Sequence, residues 1–176
     1  MSSDPSQTAP AATDAGSTFA FLVLRAWLGA RAVLTGIEKF SGTRMAELPL
    51  LDADGNPDPS GAMVEIPQKF YAFSNYRPMP ETLQTALDAE PLLPGFLTAP
   101  FYFLLGPLLI LLGLALLAGI FSRISLLAMG LLYAALTAGL VLLGQDAGVA
   151  WLGVHVGLVA IALVLSKHNR FSVTRA

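Results

Sequence analysis

The sequence predicts an all-α fold, an integral membrane four-helix bundle with a long structured outer segment between its first and second helices. Three observations lead there. Of 176 residues, 55% are hydrophobic and only 12% charged, whereas a soluble domain carries about a quarter charged residues. Three charge-free runs, Phe101–Ser122, Ile124–Gln145 and Ala147–Ser166, are 22, 22 and 20 residues long. At about 1.5 Å per residue, each can cross a hydrocarbon core of roughly 30 Å. A fourth stretch, residues 18–40, has the right length and is mostly apolar or small, with Arg25 and Arg31 inside it and Glu38 and Lys39 at its end.

The same composition excludes several function classes. With no cysteine, the chain has no disulfide, thiolate nucleophile, iron–sulfur cluster or Cys-zinc site. A net charge of -2 provides no basic surface, so nucleic acid is not an expected partner. Only His155 of the two histidines lies within a span, which argues against bis-histidine haem. No P-loop, dinucleotide fingerprint, HExxH or nucleophile elbow occurs. No haem, flavin or metal site is therefore expected, and any redox centre must come from elsewhere.

Taken in order, residues 1–17 are rich in Ser, Ala, Thr and Pro, with Asp4 and Asp14 and no basic residue. They read as a flexible leader without the positive n-region of a signal peptide. The spans are 18–40, 100–122, 124–145 and 147–166, and a basic tail, 167–176, follows. Sidedness comes from Lys and Arg in the connections. The tail holds Lys167, His168, Arg170 and Arg175, and the turn between the second and third spans holds Arg123. The turn between the third and fourth holds only Asp146. Residues 41–99 carry Arg44, Lys69 and Arg77 against eight acids. The tail and both termini are thus expected in the cytoplasm and residues 41–99 outside.

That outer segment is too long for a plain turn. Leu48–Leu51 and Ala62–Ile66 flank a polar Asp/Gly/Pro stretch and predict a hairpin. Asp52, Asp54 and Asn56 have calcium-like spacing, but the sixth and twelfth positions of such a loop are Pro57 and Met63 rather than Gly and Glu. A solvated turn is the expectation. Gln68–Tyr76, with Phe70, Tyr71, Phe73 and Tyr76, predicts a short helix on the membrane surface. Pro80 and Glu81 begin another that stops before Pro91. The segment reads either as a lid or docking surface, or as a cap over the bundle.

Ionisable groups at membrane depth are costly and usually face the bundle interior. Arg31, Thr35 and Glu38 fall within about 60° on the first helix, while Arg25, Gly29, Ala32 and Gly36 form a second, small-residue stripe suited to close packing. Counting inward from the outer boundary at about 1.5 Å per residue, Arg31, Thr35, Tyr133, Thr137 and His155 all fall in the outer half of the membrane, with Trp151 one turn above His155. Arg31, Glu38, Tyr133 and His155 form a candidate quinone-contact cluster, because two carbonyl oxygens need donors and reduction needs proton carriers. The structural alternative is an Arg31–Glu38 ion pair and a histidine bonded to a neighbouring helix. Arg25 is expected to snorkel to head groups or to bond a neighbouring helix.

Helix 1 reads Arg25-Ala-Trp-Leu-Gly29 and then Gly36-Ile-Glu-Lys39-Phe40, the second span ends Gly119-Ile-Phe-Ser-Arg123, and a basic tail closes the chain. In these features it resembles the DoxX-like family of small four-helix bacterial membrane proteins, which includes the DoxD-type subunit of thiosulfate:quinone oxidoreductase. The resemblance covers the four helices, not the leader or the acidic outer segment. It implies a bacterial plasma-membrane subunit of a quinone-linked electron-transfer complex, with the lipid bilayer and other membrane subunits as partners. The alternative is a non-catalytic accessory subunit that docks a larger complex through its outer segment. A third reading, a small transporter with Glu38 as coupling acid, is disfavoured because no inverted repeat relates the two halves.

Overall fold

The structure, a computed structural model, describes residues 10–51, 54–169, 171 and 173–174. Residues 1–9 of the expected leader, Asp52 of the polar turn, and Arg170 and Arg175 of the basic tail lie outside the described residues. Helix α1 is Pro10–Glu38, so it begins well before the expected span. A hairpin follows, β1 (Ser41–Pro49) and β2 (Met63–Tyr71), then the short helix α2 (Glu81–Asp88). The remaining helices are α3 (Gly95–Ala118), α4 (Ser122–Leu142) and α5 (Asp146–Leu165).

Four helices, α1, α3, α4 and α5, are long and apolar enough to cross a membrane. Their surfaces agree. Val23, Leu34, Phe103, Leu111, Leu131 and Val164 are each more than 60% exposed, an apolar collar too continuous for a monomer in water and suited to lipid. The chain is a membrane protein. Sharp turns join α3 to α4 and α4 to α5, and both are built the same way. Gly119 and Gly144 adopt positive φ, and the next amide reaches back to close the helix, Ile120 N to Ala115 O at 2.9 Å and Gln145 N to Leu140 O at 2.9 Å. Glycine carries no Cβ penalty in that conformation.

Small residues set the α1–α3 crossing, as the Gly29/Ala32/Gly36 stripe predicts. A Cβ on Gly113 would lie 2.7 Å from the Gly29 carbonyl, and one on Gly36 would lie 2.9 Å from the Gly106 carbonyl. Glycines seven residues apart on each helix therefore face each other and let the backbones touch. Phe21, Leu28 and Ala32 of α1, Leu105, Leu109 and Leu116 of α3, Leu126, Met129 and Leu132 of α4, and Val159 and Ala162 of α5 fill the interior. Arg25 bonds neighbouring elements: its Nη1 donates to Asn169 Oδ1 (3.1 Å) and Phe171 O (2.7 Å), and its Nη2 donates to Leu117 O (3.4 Å).

The outer segment departs from expectation. It contains a two-stranded antiparallel sheet, so the fold is helical with one hairpin added rather than all-α. The expected hairpin forms but is longer, from Ser41↔Tyr71 to Pro49↔Met63. Gln68–Tyr71 belongs to β2 instead of a surface helix, and only Phe73–Asn75 makes a single 3₁₀ turn. The cause is non-local. Ser41–Arg44, which carries no strong strand signal of its own, leaves α1 extended and offers Gln68–Tyr71 a backbone partner. Helix α2 lies where Pro80 and Glu81 predict it.

Candidate functional site

Near the hairpin end of the bundle, α1, α3, α4 and α5 form a partly open cavity of about 100 Å³. Four of the sequence-predicted residues line it: Arg31, Thr35, Tyr133 and His155. Depth alone had grouped them, and the packing brings them together because each lies on a helix face turned inward. Trp151 and Lys39 also line it.

His155 is 3% exposed. Its Nδ1 lies 2.9 Å from the Trp151 carbonyl one turn back. A carbonyl only accepts, so Nδ1 carries the proton and, in the neutral ring, Nε2 is an acceptor. That Nε2 is buried and has no hydrogen-bond partner among the described residues. The rings of Tyr133 and Trp151 meet the imidazole edge to face at 5.7 and 5.4 Å. Arg31 places its guanidinium carbon 5.6 Å from the Trp151 ring centroid, a cation–π contact. Among the described residues no carboxylate pairs with Arg31.

Glu38 is not part of this group. Its carboxylate takes Lys69 Nζ at 2.5 Å and the Tyr71 hydroxyl at 3.0 Å, and it is half exposed at the foot of the hairpin. The Arg31–Glu38 pair of the structural alternative does not form, since Glu38 pairs with Lys69, and Glu38 lies outside the cavity. The physical reason is that β2 supplies two donors beside the last turn of α1. Lys69 is held above its ordinary range by the hydrogen bond from its ammonium to Glu38. Thr137 also stays outside the cavity, its hydroxyl donating to the Tyr133 carbonyl at 2.8 Å.

Lys39 is the residue that sequence reasoning missed. It continues the Arg31–Thr35 row at four-residue spacing, a signal that was available, but it sits just past the helix end. Its ammonium donates to the Pro78 carbonyl, and burial pushes its pKa down. Lys39, Leu105 and Leu136 also line an adjoining chamber of about 410 Å³. Its roof is Pro78, Met79, Pro80, Leu83 and Leu87, and its walls include Phe101 and Tyr102 of α3 and Ala135 and Leu140 of α4. Two phenols fasten this roof. Tyr102 donates to Asp88 Oδ1 of α2 at 2.9 Å. The Tyr76 hydroxyl donates to the Tyr102 carbonyl at 2.5 Å and accepts from the Gly106 amide at 3.1 Å. Those two backbone groups are the partners an uninterrupted helix would join, so the phenol is inserted into the α3 ladder one residue before Pro107.

No protein-family model, curated protein or solved structure matches this chain.

Proposed function

We propose that this protein is a membrane subunit of a quinone-linked electron-transfer complex and that its hairpin end holds a quinone head group. The observation that carries the reading is the buried, unpartnered Nε2 of His155 in a cavity shared with Arg31, Lys39 and Tyr133. A buried polar atom without a partner is costly, and intramembrane ionisable groups mark sites by default. The sizes fit a divided arrangement. A 100 Å³ cavity holds roughly three waters' worth of volume. The ring is read into the apolar 410 Å³ chamber, with one oxygen edge reaching past Lys39 into the polar cavity that Arg31, Tyr133 and His155 line.

A bound quinone would supply the redox chemistry. The chain's own residues orient it and handle protons. Lys39 and Arg31 present positive charge to a ring oxygen, Tyr133 offers a hydroxyl, and His155 Nε2, an acceptor, would take the proton that a quinol hydroxyl gives up, while the Trp151 carbonyl holds the other ring proton on Nδ1. The DoxX-like resemblance of the helix 1 and turn motifs supports the same reading. The end that carries Arg123 and Lys167 is assigned to the cytoplasm and the hairpin end to the outside of a bacterial plasma membrane.

The test compares His155→Ala with Leu158→Ala, a packing control on the same helix. Retention of a short-chain ubiquinol, whose hydroxyl can donate to Nε2, by the purified protein should fall at least about tenfold in His155→Ala, the 1.4 kcal/mol of one charged or buried hydrogen bond, and stay near wild type in the control. Unchanged retention in a normally assembled His155→Ala protein would move the assignment to the second reading, an accessory subunit. One observation favours that second reading. Leu48, Val64 and Ile66 lie on one face of the hairpin, all at least 36% exposed, and among the described residues both edges of the two-stranded sheet are unpaired. Such a hairpin is marginal alone and is suited to a partner subunit.

A further inference from the structure

At the opposite end of the bundle, the start of α4 and the end of α5 form a groove of about 370 Å³. Its floor is Ile124, Leu127, Leu163 and Val164, and Arg123 and Lys167 stand at its rim. Ile124, Leu127 and Val164 are 63%, 54% and 70% exposed, so the floor belongs to the lipid-facing collar rather than to the core.

The two cations are uncompensated. Among the described residues no carboxylate pairs with either. Arg123 is also held in position: its Nε donates to Ser166 Oγ at 3.2 Å, and Ser166 in turn donates to the Leu163 carbonyl at 2.7 Å. This leaves the terminal nitrogens of the guanidinium fork for another acceptor. Arg123 stands in the first turn of α4, where the helix dipole disfavours a cation. A positive charge kept there, beside a second one and above an apolar floor at the membrane boundary, calls for an anion with an apolar tail.

We propose that this groove is a binding site for an anionic phospholipid of the surrounding leaflet. Its phosphate is taken by Arg123 and Lys167, and the upper part of one acyl chain lies along Ile124, Leu127 and Val164. An Arg fork accepts two phosphate oxygens, and Lys adds a point charge. The site is separate from the polar cavity at the hairpin end and does not depend on what that cavity binds.

The experiment is native mass spectrometry of the detergent-purified protein with added phosphatidylglycerol or phosphatidylcholine of identical chains. Phosphatidylglycerol should be retained in preference. In Arg123→Gln/Lys167→Gln that preference should fall about thirtyfold, a factor of about five for each basic residue at an anionic surface. Lys167→Gln alone, which breaks no side-chain bond among the described residues, should lose about fivefold. Millimolar inorganic phosphate should leave the lipid adduct in place, because phosphate lacks the apolar contact. Equal retention of the two lipids by the wild-type protein would overturn the assignment. So would an undiminished preference in the double and single variants, or displacement of the lipid by inorganic phosphate.

Discussion

The first helix carries two arginines six residues apart, and the bundle treats them differently. Arg25 is surrounded by acceptors: the Asn169 side chain and the carbonyls of Phe171 and Leu117. It ties the middle of α1 to the end of α3 and the chain's tail in one knot, closed further by Asn169 Nδ2 donating to Ser122 Oγ at 3.1 Å. Arg31 has an aromatic face from Trp151, no carboxylate among the described residues, and a cavity whose other walls include His155 and Tyr133. The lesson is that an intramembrane charge does not by itself locate a site. Where neighbouring backbone groups satisfy the charge, it is a fastener. Where only a ring meets it, beside an unpartnered imidazole nitrogen, it is a candidate for ligand contact.

That contrast can be broken most directly at Arg25. Arg25→Ala strands three acceptors, and hydrogen bonds to a charged group contribute about 1.5–3 kcal/mol. For this partly exposed group we expect a loss of about 2 kcal/mol, read as a lower midpoint in thermal unfolding, with quinone retention by the surviving folded fraction unchanged. Loss of retention at unchanged stability would remove the distinction between the two arginines.

Arg31→Ala should do the reverse. The cation–π contact with Trp151 contributes about 0.5–1 kcal/mol, so the midpoint should move little, whereas retention of a short-chain ubiquinone should drop about tenfold or more by loss of a charged hydrogen bond. A large drop in midpoint with intact retention would make Arg31 a second fastener.

The smallest effect concerns the hairpin's foot. Lys69 is exposed, and its pKa is raised by Glu38. A raised lysine pKa means that its contribution is fully present below the unfolded value, about 10.4, and is lost as pH rises through the higher folded value. Hydrogen exchange in β2 should therefore be unchanged across neutral pH, after correction for intrinsic rates, and should quicken above about pH 10.4 and again in acid, where Glu38, whose pKa the same hydrogen bonds lower, takes up a proton. Lys69→Met should show the quicker exchange already at neutral pH. A loosening of the wild-type hairpin between pH 6 and 8 would show that another group holds its foot.

Much of this was legible in the sequence. Residues 18–40 and three charge-free runs specified four spans, because apolar length alone decides what lipid accepts. The stripe through Gly29, Ala32 and Gly36 specified which face of α1 packs closely, because one helical period connects its members. That Arg31, Thr35, Tyr133 and His155 share one level of the bundle followed from counting residues, since the rise of a helix is constant.

Tertiary structure alone decided the remainder. Glu38 and Lys39 are chain neighbours, yet one faces the hairpin and the other the cavity. That choice belongs to Lys69 and Tyr71, some thirty residues away, and to the Pro78 carbonyl. The strand character of Gln68–Tyr71 depended on Ser41–Arg44 as a distant partner. The phenol of Tyr76 between Tyr102 and Gly106 depended on where the hairpin returned the chain to α3. Hydropathy and helical period are local quantities that a sequence carries openly. A polar group past the end of a helix takes whichever partner the folded chain brings nearest, and that is a property of the whole.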